Sequence, residues 1–89
     1  MKTIYKYALN KTDTQVVQLP LGARIICTQI QFDTPFIWVL IDKNYIDTES
    51  VQITIAGTGH DLDDPGEYVG TVQLLKGEWV FHVFAKVLK

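Results

Sequence analysis

The sequence has 89 residues, of which 47% are hydrophobic, and its eight basic and ten acidic residues give a formal net charge of −2. A chain of this length accommodates one domain, predicted to span residues 1–89, and its apolar content excludes an intrinsically disordered protein. The lack of a basic surplus argues against a protein that binds bulk nucleic acid, although it leaves room for a local site for one small anion.

The cysteine content and the apolar runs bear on location. Cys27 is the only cysteine, so no internal disulfide can form and a reducing cytoplasm is expected. Within the run ARIICTQIQ, Cys27 is predicted to be a small buried hydrophobe rather than a nucleophile. The segment MKTIYKYALN lacks the apolar centre of a signal peptide, and no apolar run reaches the ~20 residues that span a membrane, so we expect neither secretion nor a membrane partner.

The pattern is that of β-structure almost throughout. Seven runs rich in β-branched and aromatic residues are separated by turn-forming stretches, and they cover residues 3–9, 14–19, 23–32, 36–42, 50–57, 68–75 and 78–88. No window has the periodicity of an amphipathic helix. The sequence therefore predicts an all-β domain of about seven strands, as a small antiparallel sandwich or a partly closed barrel.

Glycine and proline mark three of the connections. Pro20 and Gly22 predict a tight turn between the second and third strands. Pro65 and Gly66 fit the central positions of a type II turn that leads into the sixth strand. Lys76-Gly77 predicts a two-residue hairpin loop, which makes the last two strands antiparallel neighbours.

Two of the predicted strands, FIWVLI and WVFHVFAKVL, are apolar on both faces rather than alternating apolar with polar. An outer apolar face needs cover, and a second copy of the chain would supply it, which predicts a homo-oligomer. The alternative is a small closed barrel with a sealed end. The pattern leaves open whether Trp38 and Trp79 fill the core or line a pocket.

The stretch GTGHD is the leading candidate for a ligand-binding loop. Its glycines allow successive backbone N–H groups to face one concavity that holds an anion, and its side chains offer a hydroxyl, an imidazole and a carboxylate that accepts from a ribose hydroxyl or base edge. The predicted site residues are Gly57, Thr58, Gly59, His60 and Asp61, with Arg24 as a charge partner. No helix follows, so a phosphate loop is not indicated, and the alternative is a plain glycine-bearing turn.

Metal binding and catalysis find little support in the same stretch. Asp61, Asp63 and Asp64 with His60 lack the spacing of a calcium or zinc site, so the aspartates are predicted to cap turns. Ser50 is the only serine and has no nucleophile signature around it. We therefore expect no enzyme activity, no metal and no cofactor.

A second group of residues supplies charge and flat rings that could clamp a nucleotide. Its members are Lys2, Tyr5, Lys6, Tyr7, Arg24, Trp38 and Trp79. The alternative is that the tryptophans are core residues and the lysines are simply solvated.

The segments MKTIYKYAL, LPLGARI and FIWVLID, and above all GTGHDL with GEYVGTVQLLKGEWVFHVF, resemble a family of small proteins of unknown function encoded by bacteriophages and prophages. The resemblance covers nearly the whole chain. It implies a stand-alone protein in the cytoplasm of an infected bacterial host, and it implies no catalytic residues.

These observations lead to one expected function and one alternative. The expected function is sequestration of a small nucleotide-type immune signal, which would blunt host antiviral defence. The alternative is an accessory structural or protein-interaction module of a phage that has no small-molecule ligand. The phage context supports the first by analogy of protein type alone.

Overall fold

The computed structural model of the protein describes residues 1–88, and all seven predicted strands are present with bounds within two residues of those expected. They are β1 (Lys2–Ala8), β2 (Thr14–Pro20), β3 (Arg24–Gln31), β4 (Thr34–Asp42), β5 (Thr48–Gly57), β6 (Glu67–Leu74) and β7 (Trp79–Val87). A single 3-10 turn, Leu75–Gly77, separates the last two. The prediction of an all-β domain is confirmed.

The strands form two antiparallel sheets. One has three strands in the order β1-β4-β3, and the other has four in the order β2-β5-β7-β6. They pack as an open sandwich that approaches closure along β3 and β6, where the two sheets touch. Of the two predicted architectures, the sandwich is therefore confirmed, and the barrel is not closed.

The core lies between the sheets and follows the two-residue period of the strands. Ile37 and Val39 point inward from β4 and are fully buried, as are Ile53 of β5 and Val83 of β7. Burying such a side chain stabilises a fold by about 1.5–3 kcal/mol, so each of these residues contributes substantially to the stability of the sandwich.

The two ends of the sandwich are called the Asp42 end and the Phe32 end. At the Asp42 end, Asp42 pairs with Lys2. At the Phe32 end lies the tight turn between β3 and β4, and there Ile30 and Pro35 of the first sheet face Ile55 and Phe81 of the second across a small cavity.

Cys27 is not in the core, contrary to the prediction. A β-bulge between Ile25 and Cys27 adds one residue to β3, so that Cys27 pairs with Trp38 and shares its outward face. Cys27 is half-buried there. An unbroken alternation from the inward-facing Ile25 would have turned Cys27 toward the core, and the bulge cannot be read from the run of apolar residues.

The outer apolar faces of β4 and β7 are covered in part by the chain's own side chains. The Lys6 ammonium lies 4.9 Å from the centre of the Phe36 ring. On the other sheet the Tyr68 ring meets Phe84 edge-on, with ring centres 5.7 Å apart. Neither tryptophan is a core residue: Trp38 is half-buried on an outer face, and Trp79 is 55% exposed.

Of the three predicted turns, the one at Pro65 and Gly66 does not form as a hydrogen-bonded type II turn. Gly66 has a positive φ of +95°, but the chain bends at Asp63 and Asp64, and Asp64 itself has a φ of +46°.

The turn between β2 and β3 is present as predicted. The N–H of Ala23 donates to the carbonyl of Pro20 at 3.0 Å, and Gly22 has a φ of +78°. The last two strands are antiparallel neighbours as predicted, but Leu74 pairs with Trp79, so residues 75–78 connect them rather than a two-residue loop. No helix in residues 1–88 has the length and apolar character needed to cross a membrane.

A candidate ligand-binding face

The outer face of the three-stranded sheet carries cations around a row of apolar side chains. Because residues paired across antiparallel strands share a face, the register fixes its composition. It comprises Lys2, Ile4 and Lys6 from β1, Phe36, Trp38, Leu40 and Asp42 from β4, and Arg24, Cys27 and Gln29 from β3. Two rings, Phe36 and Trp38, lie side by side in the central strand with centres 5.9 Å apart.

The electrostatic balance of this face is opposite to that of the whole chain. Lys2, Lys6 and Arg24 are its side-chain cations, and Asp42 is the one carboxylate that the paired strands place there. The Asp42 carboxylate is already engaged, since its Oδ1 accepts from the N–H of Asn44 at 3.0 Å and lies 3.6 Å from the α-amino group. The face therefore carries an excess of positive charge on a chain whose formal charge is −2.

The same contacts lower the pKa of Asp42. The backbone N–H of Asn44 is the main cause that lowers the pKa of Asp42 below its ordinary value, and the positive charges of the α-amino group and Lys2 add to it. Asp42 is thus ionised and locally compensated at neutral pH. Within residues 1–88, neither Lys2 nor Arg24 forms an ion pair.

An open depression of about 460 Å³ lies at the Asp42 end of this face. Lys2, Arg24 and Asp42 are the charged residues that line it, and Leu21, Leu40 and Tyr45 are among its apolar and aromatic ones. Its size is within the 300–1,000 Å³ of ordinary small-molecule sites.

The main chain of Tyr45 is held beside this depression by a turn. The N–H of Tyr45 donates to the carbonyl of Asp42 at 3.1 Å, which closes a turn directly after β4. The side chain stays 55% exposed, so a flat face is available to a ligand. Sequence reasoning missed Tyr45, because the stretch DKNYIDTES has the composition of a surface loop.

The predicted loop residues lie at the other end of the molecule, on the four-stranded sheet. The N–H of His60 donates to the carbonyl of Gly57 at 3.2 Å, and Gly59 has a φ of +90°. The His60 ring lies over Gly57, where an added Cβ would be 3.0 Å from its Cε1 atom. These contacts explain both glycines by turn geometry, and they leave the N–H of His60 unavailable to an anion.

The surroundings of this loop are acidic. Asp61 and Asp63 line a shallow depression beside β5, and Glu78 lines a second one with Thr58 and His60. Carboxylates at these places repel phosphate. Within residues 1–88, no group of three or more potential ligands is close enough to hold a metal ion.

Arg24 does not join the predicted loop within one chain. It pairs with Leu40 near the Asp42 end, whereas Gly57 pairs with Phe81 at the Phe32 end. The fold instead brings Arg24 together with Lys2 at the depression described above. Of the second predicted group, Lys2, Lys6, Arg24 and Trp38 share one face, while Tyr5 and Tyr7 face the core side and Trp79 belongs to the other sheet.

A chain of hydrogen bonds on the outer face of β6 and β7 was missed by sequence reasoning. His82 lies between two hydroxyls, with Nε2 at 2.8 Å from Thr58 Oγ1 and Nδ1 at 3.0 Å from Thr71 Oγ1. The Tyr68 hydroxyl lies 2.5 Å from Thr71 Oγ1. The pairing of β6 with β7 brings Tyr68 and Thr71 to His82, with a register set by a bulge between Tyr68 and Gly70, and the pairing of β5 with β7 brings Thr58 there.

The fold and this face define an open antiparallel β-sandwich with one basic, aromatic sheet surface. The chain belongs to the family described as "Domain of unknown function (DUF7352)", whose family model matches residues 1–89. No curated protein and no solved structure matches the chain. The expected membership of a family of unknown function is therefore confirmed at that level.

Proposed function

We propose that the protein binds a small nucleotide-type ligand at the Asp42 end of the three-stranded sheet and holds it without chemical change. The observation that carries this proposal is the meeting of Lys2, Arg24 and an exposed Tyr45 ring at one depression. Free cations next to a flat ring match the two parts of a nucleotide, the phosphate and the base.

Each residue has a distinct role in the proposed complex. Arg24 donates a bidentate pair of hydrogen bonds to a phosphate, which its planar guanidinium suits better than a lysine would. Lys2 adds a second positive charge. The base stacks on Tyr45, and Leu40 excludes water from beneath it.

The biological role we propose rests on the resemblance to phage and prophage proteins. A stand-alone binding protein in the cytoplasm of an infected bacterium would sequester a nucleotide signal of host immunity and so blunt antiviral defence. The loop of residues 57–61 stays a predicted contact region: Gly57, Thr58, Gly59, His60 and Asp61. Two observations argue against a phosphate there, since the N–H of His60 is already hydrogen-bonded within the turn and the neighbouring side chains are acidic.

Thermal unfolding with a panel of nucleotides tests binding directly. The panel includes mononucleotides, cyclic di- and trinucleotides and ADP-ribose derivatives. A ligand present at 100 times its dissociation constant adds about 2.7 kcal/mol to the free energy of unfolding, which is readily measured as a rise in Tm. If no member of the panel raises the Tm of the wild-type protein, the proposal fails.

A matched pair of variants locates the site. Arg24→Gln removes the proposed phosphate contact, while Lys76→Gln removes one positive charge from the hairpin at the Phe32 end. We expect Arg24→Gln to weaken binding by about tenfold to a hundredfold and Lys76→Gln to leave it unchanged. If both variants weaken nucleotide binding equally, the effect comes from the net charge of the protein and not from a site at Arg24. If the ligand recovered after denaturation is chemically altered, the protein is an enzyme.

A protein-interaction module is the second candidate function. Phe36, Trp38 and Leu40 form a half-buried apolar row on the outer face, which a partner protein or a second copy could cover. Nuclease-treated pull-downs from infected cells would recover such a partner stoichiometrically, and a Trp38→Gln variant would lose it. The nucleotide proposal instead expects a small molecule to co-purify, which native mass spectrometry detects.

A further inference from the structure

The tight turn between β3 and β4 exposes a phenylalanine in an unfavourable backbone conformation. Gln31 pairs with Thr34, so Phe32 and Asp33 alone form the loop, with φ values of +52° and +61°. Two positive φ values are those of a type I′ hairpin turn, where asparagine and glycine are strongly preferred. Phe32 is also 92% exposed.

Both features of Phe32 are unfavourable for an isolated chain. A bulky residue in the left-handed region is strained, and a ring exposed to water contributes no hydrophobic free energy to folding. Such a combination at one position indicates a role outside the folding of the chain itself.

An apolar cavity opens beside this turn. It has a volume of about 80 Å³ and lies between the two sheets at the Phe32 end. Its apolar lining consists of Ile30, Pro35, Ile55, Val72, Leu74 and Phe81. Ile30 and Pro35 belong to the same hairpin as Phe32, so the protruding ring and the cavity are neighbours.

We propose that Phe32 of one copy inserts into this cavity of a second copy, and that the second copy does the same in return. Because ring and cavity lie at the same end of the molecule, a two-fold arrangement lets two copies satisfy both contacts at once, and such an assembly closes at two subunits. An engineered apolar cavity of about 150 Å³ binds a whole benzene ring. The cavity at the Phe32 end, with about 80 Å³, therefore has room for the outer edge of a phenyl ring.

The cavity lining carries one cation and one carboxylate, Lys11 and Asp13, and Asp33 follows Phe32 at the tip of the hairpin. In the proposed dimer Asp33 of one copy pairs with Lys11 of the other and lies away from Asp13, which would repel it. The outer face of the three-stranded sheet is a poorer self-association surface, since its Lys2, Lys6 and Arg24 would be brought close to their own copies.

This dimer is independent of the proposed nucleotide site. The depression formed by Lys2, Arg24 and Tyr45 is at the Asp42 end, and the contact is at the Phe32 end. Ligand binding and dimerisation therefore succeed or fail separately.

Sedimentation equilibrium over a range of protein concentrations tests the proposal. We expect a monomer–dimer equilibrium for the wild type and a dissociation constant raised at least about tenfold by Phe32→Asn, since removal of a central aromatic anchor commonly has that effect. Asparagine suits the positive φ, so the variant folds. A wild type that stays monomeric up to about 1 mM overturns the proposal.

Charge reversal supplies a second, independent readout. Asp33→Lys and Lys11→Asp each weaken the dimer, and the double variant restores it because the opposite charges have changed places. A dimer that is indifferent to Phe32→Asn and to both reversals is formed by another surface and overturns the proposal. A foreign protein captured through Phe32 by a monomeric wild type also overturns it.

Discussion

The methyl carbon of Thr28 lies 2.9 Å from the point that a Cβ on residue 70 would occupy, so Gly70 lets β3 and β6 approach. Thr28 is buried, and its hydroxyl donates to the carbonyl of Phe36 at 2.8 Å, which fixes the side chain in this position. The contact joins the two sheets where the sandwich comes nearest to closing.

We predict that Gly70→Ala destabilises the protein by about 1–3 kcal/mol, because the new methyl group forces the sheets apart. The measurement is the midpoint of urea unfolding with an unchanged m-value. Thr28→Ser keeps the hydroxyl and removes the opposing methyl, so in a double-mutant cycle it should recover part of the loss. If the two effects simply add, the contact between these two residues is not the cause.

Gly66→Ala should be more severe than Gly22→Ala. Both glycines have positive φ, +95° and +78°, so alanine strains the backbone at each. At Gly66 a Cβ would also lie 2.3 Å from the Ala85 carbonyl oxygen, whereas at Gly22 nothing lies within 4 Å. We expect a loss of about 1–2 kcal/mol at Gly22 and clearly more at Gly66.

Thermal unfolding of the two glycine variants measures this difference. In a domain of this size, 1 kcal/mol corresponds to a Tm shift of about 4–8 °C. Equal Tm losses would mean that the chain relaxes away from Ala85 and that backbone strain alone matters.

Stability should depend on the charge of Asp42 in a defined pH range. The pKa of Asp42 is lowered in the folded protein, chiefly by the N–H of Asn44, relative to about 3.9 in an unfolded chain. A lowered folded pKa stabilises the fold above the unfolded pKa, and that contribution is lost as the pH falls through the folded pKa. The difference in stability between wild type and Asp42→Asn should therefore be present at pH 7 and vanish in strong acid.

Chemical denaturation from pH 7 to pH 2 checks the Asp42 prediction, with Asp63→Asn as an exposed control in the long loop. An acid-dependent difference that is equally large for Asp63→Asn would assign the effect to overall charge. High salt should leave most of the Asp42 effect in place, because its main cause is a hydrogen bond rather than a distant charge.

Nucleotide affinity should respond to Asp42 in the opposite direction to stability. Asp42 is the one carboxylate among the paired residues of the basic face, so Asp42→Asn removes a repulsion felt by a bound phosphate. We predict a lower dissociation constant for the nucleotide-type ligand by titration calorimetry, by about threefold to tenfold. Unchanged or weaker binding would place the phosphate away from the Asp42 end.

Local patterns determined the strands and the turn between the second and third of them. Alternation in SVQITIAG, the β-branched runs and the turn residues Pro20 and Gly22 act over a few neighbours, and a short stretch of sequence carries that information. Gly57 and Gly59 also stand out in a short stretch of sequence. Why glycine is needed there follows only from the folded structure: the His60 ring lies over Gly57, and Gly59 has a positive φ.

Tertiary structure alone decided which side chains meet. The bulge after Ile25 turned Cys27 outward, and the pairing of β3 and β1 with β4 placed Arg24 and Lys2 on one face, far from the loop that the sequence had favoured. Strand order and register depend on contacts between residues distant in the chain, and a single inserted residue reverses the facing of all that follow. The sequence by itself therefore determined an all-β chain, and long-range pairing determined which side chains share a face.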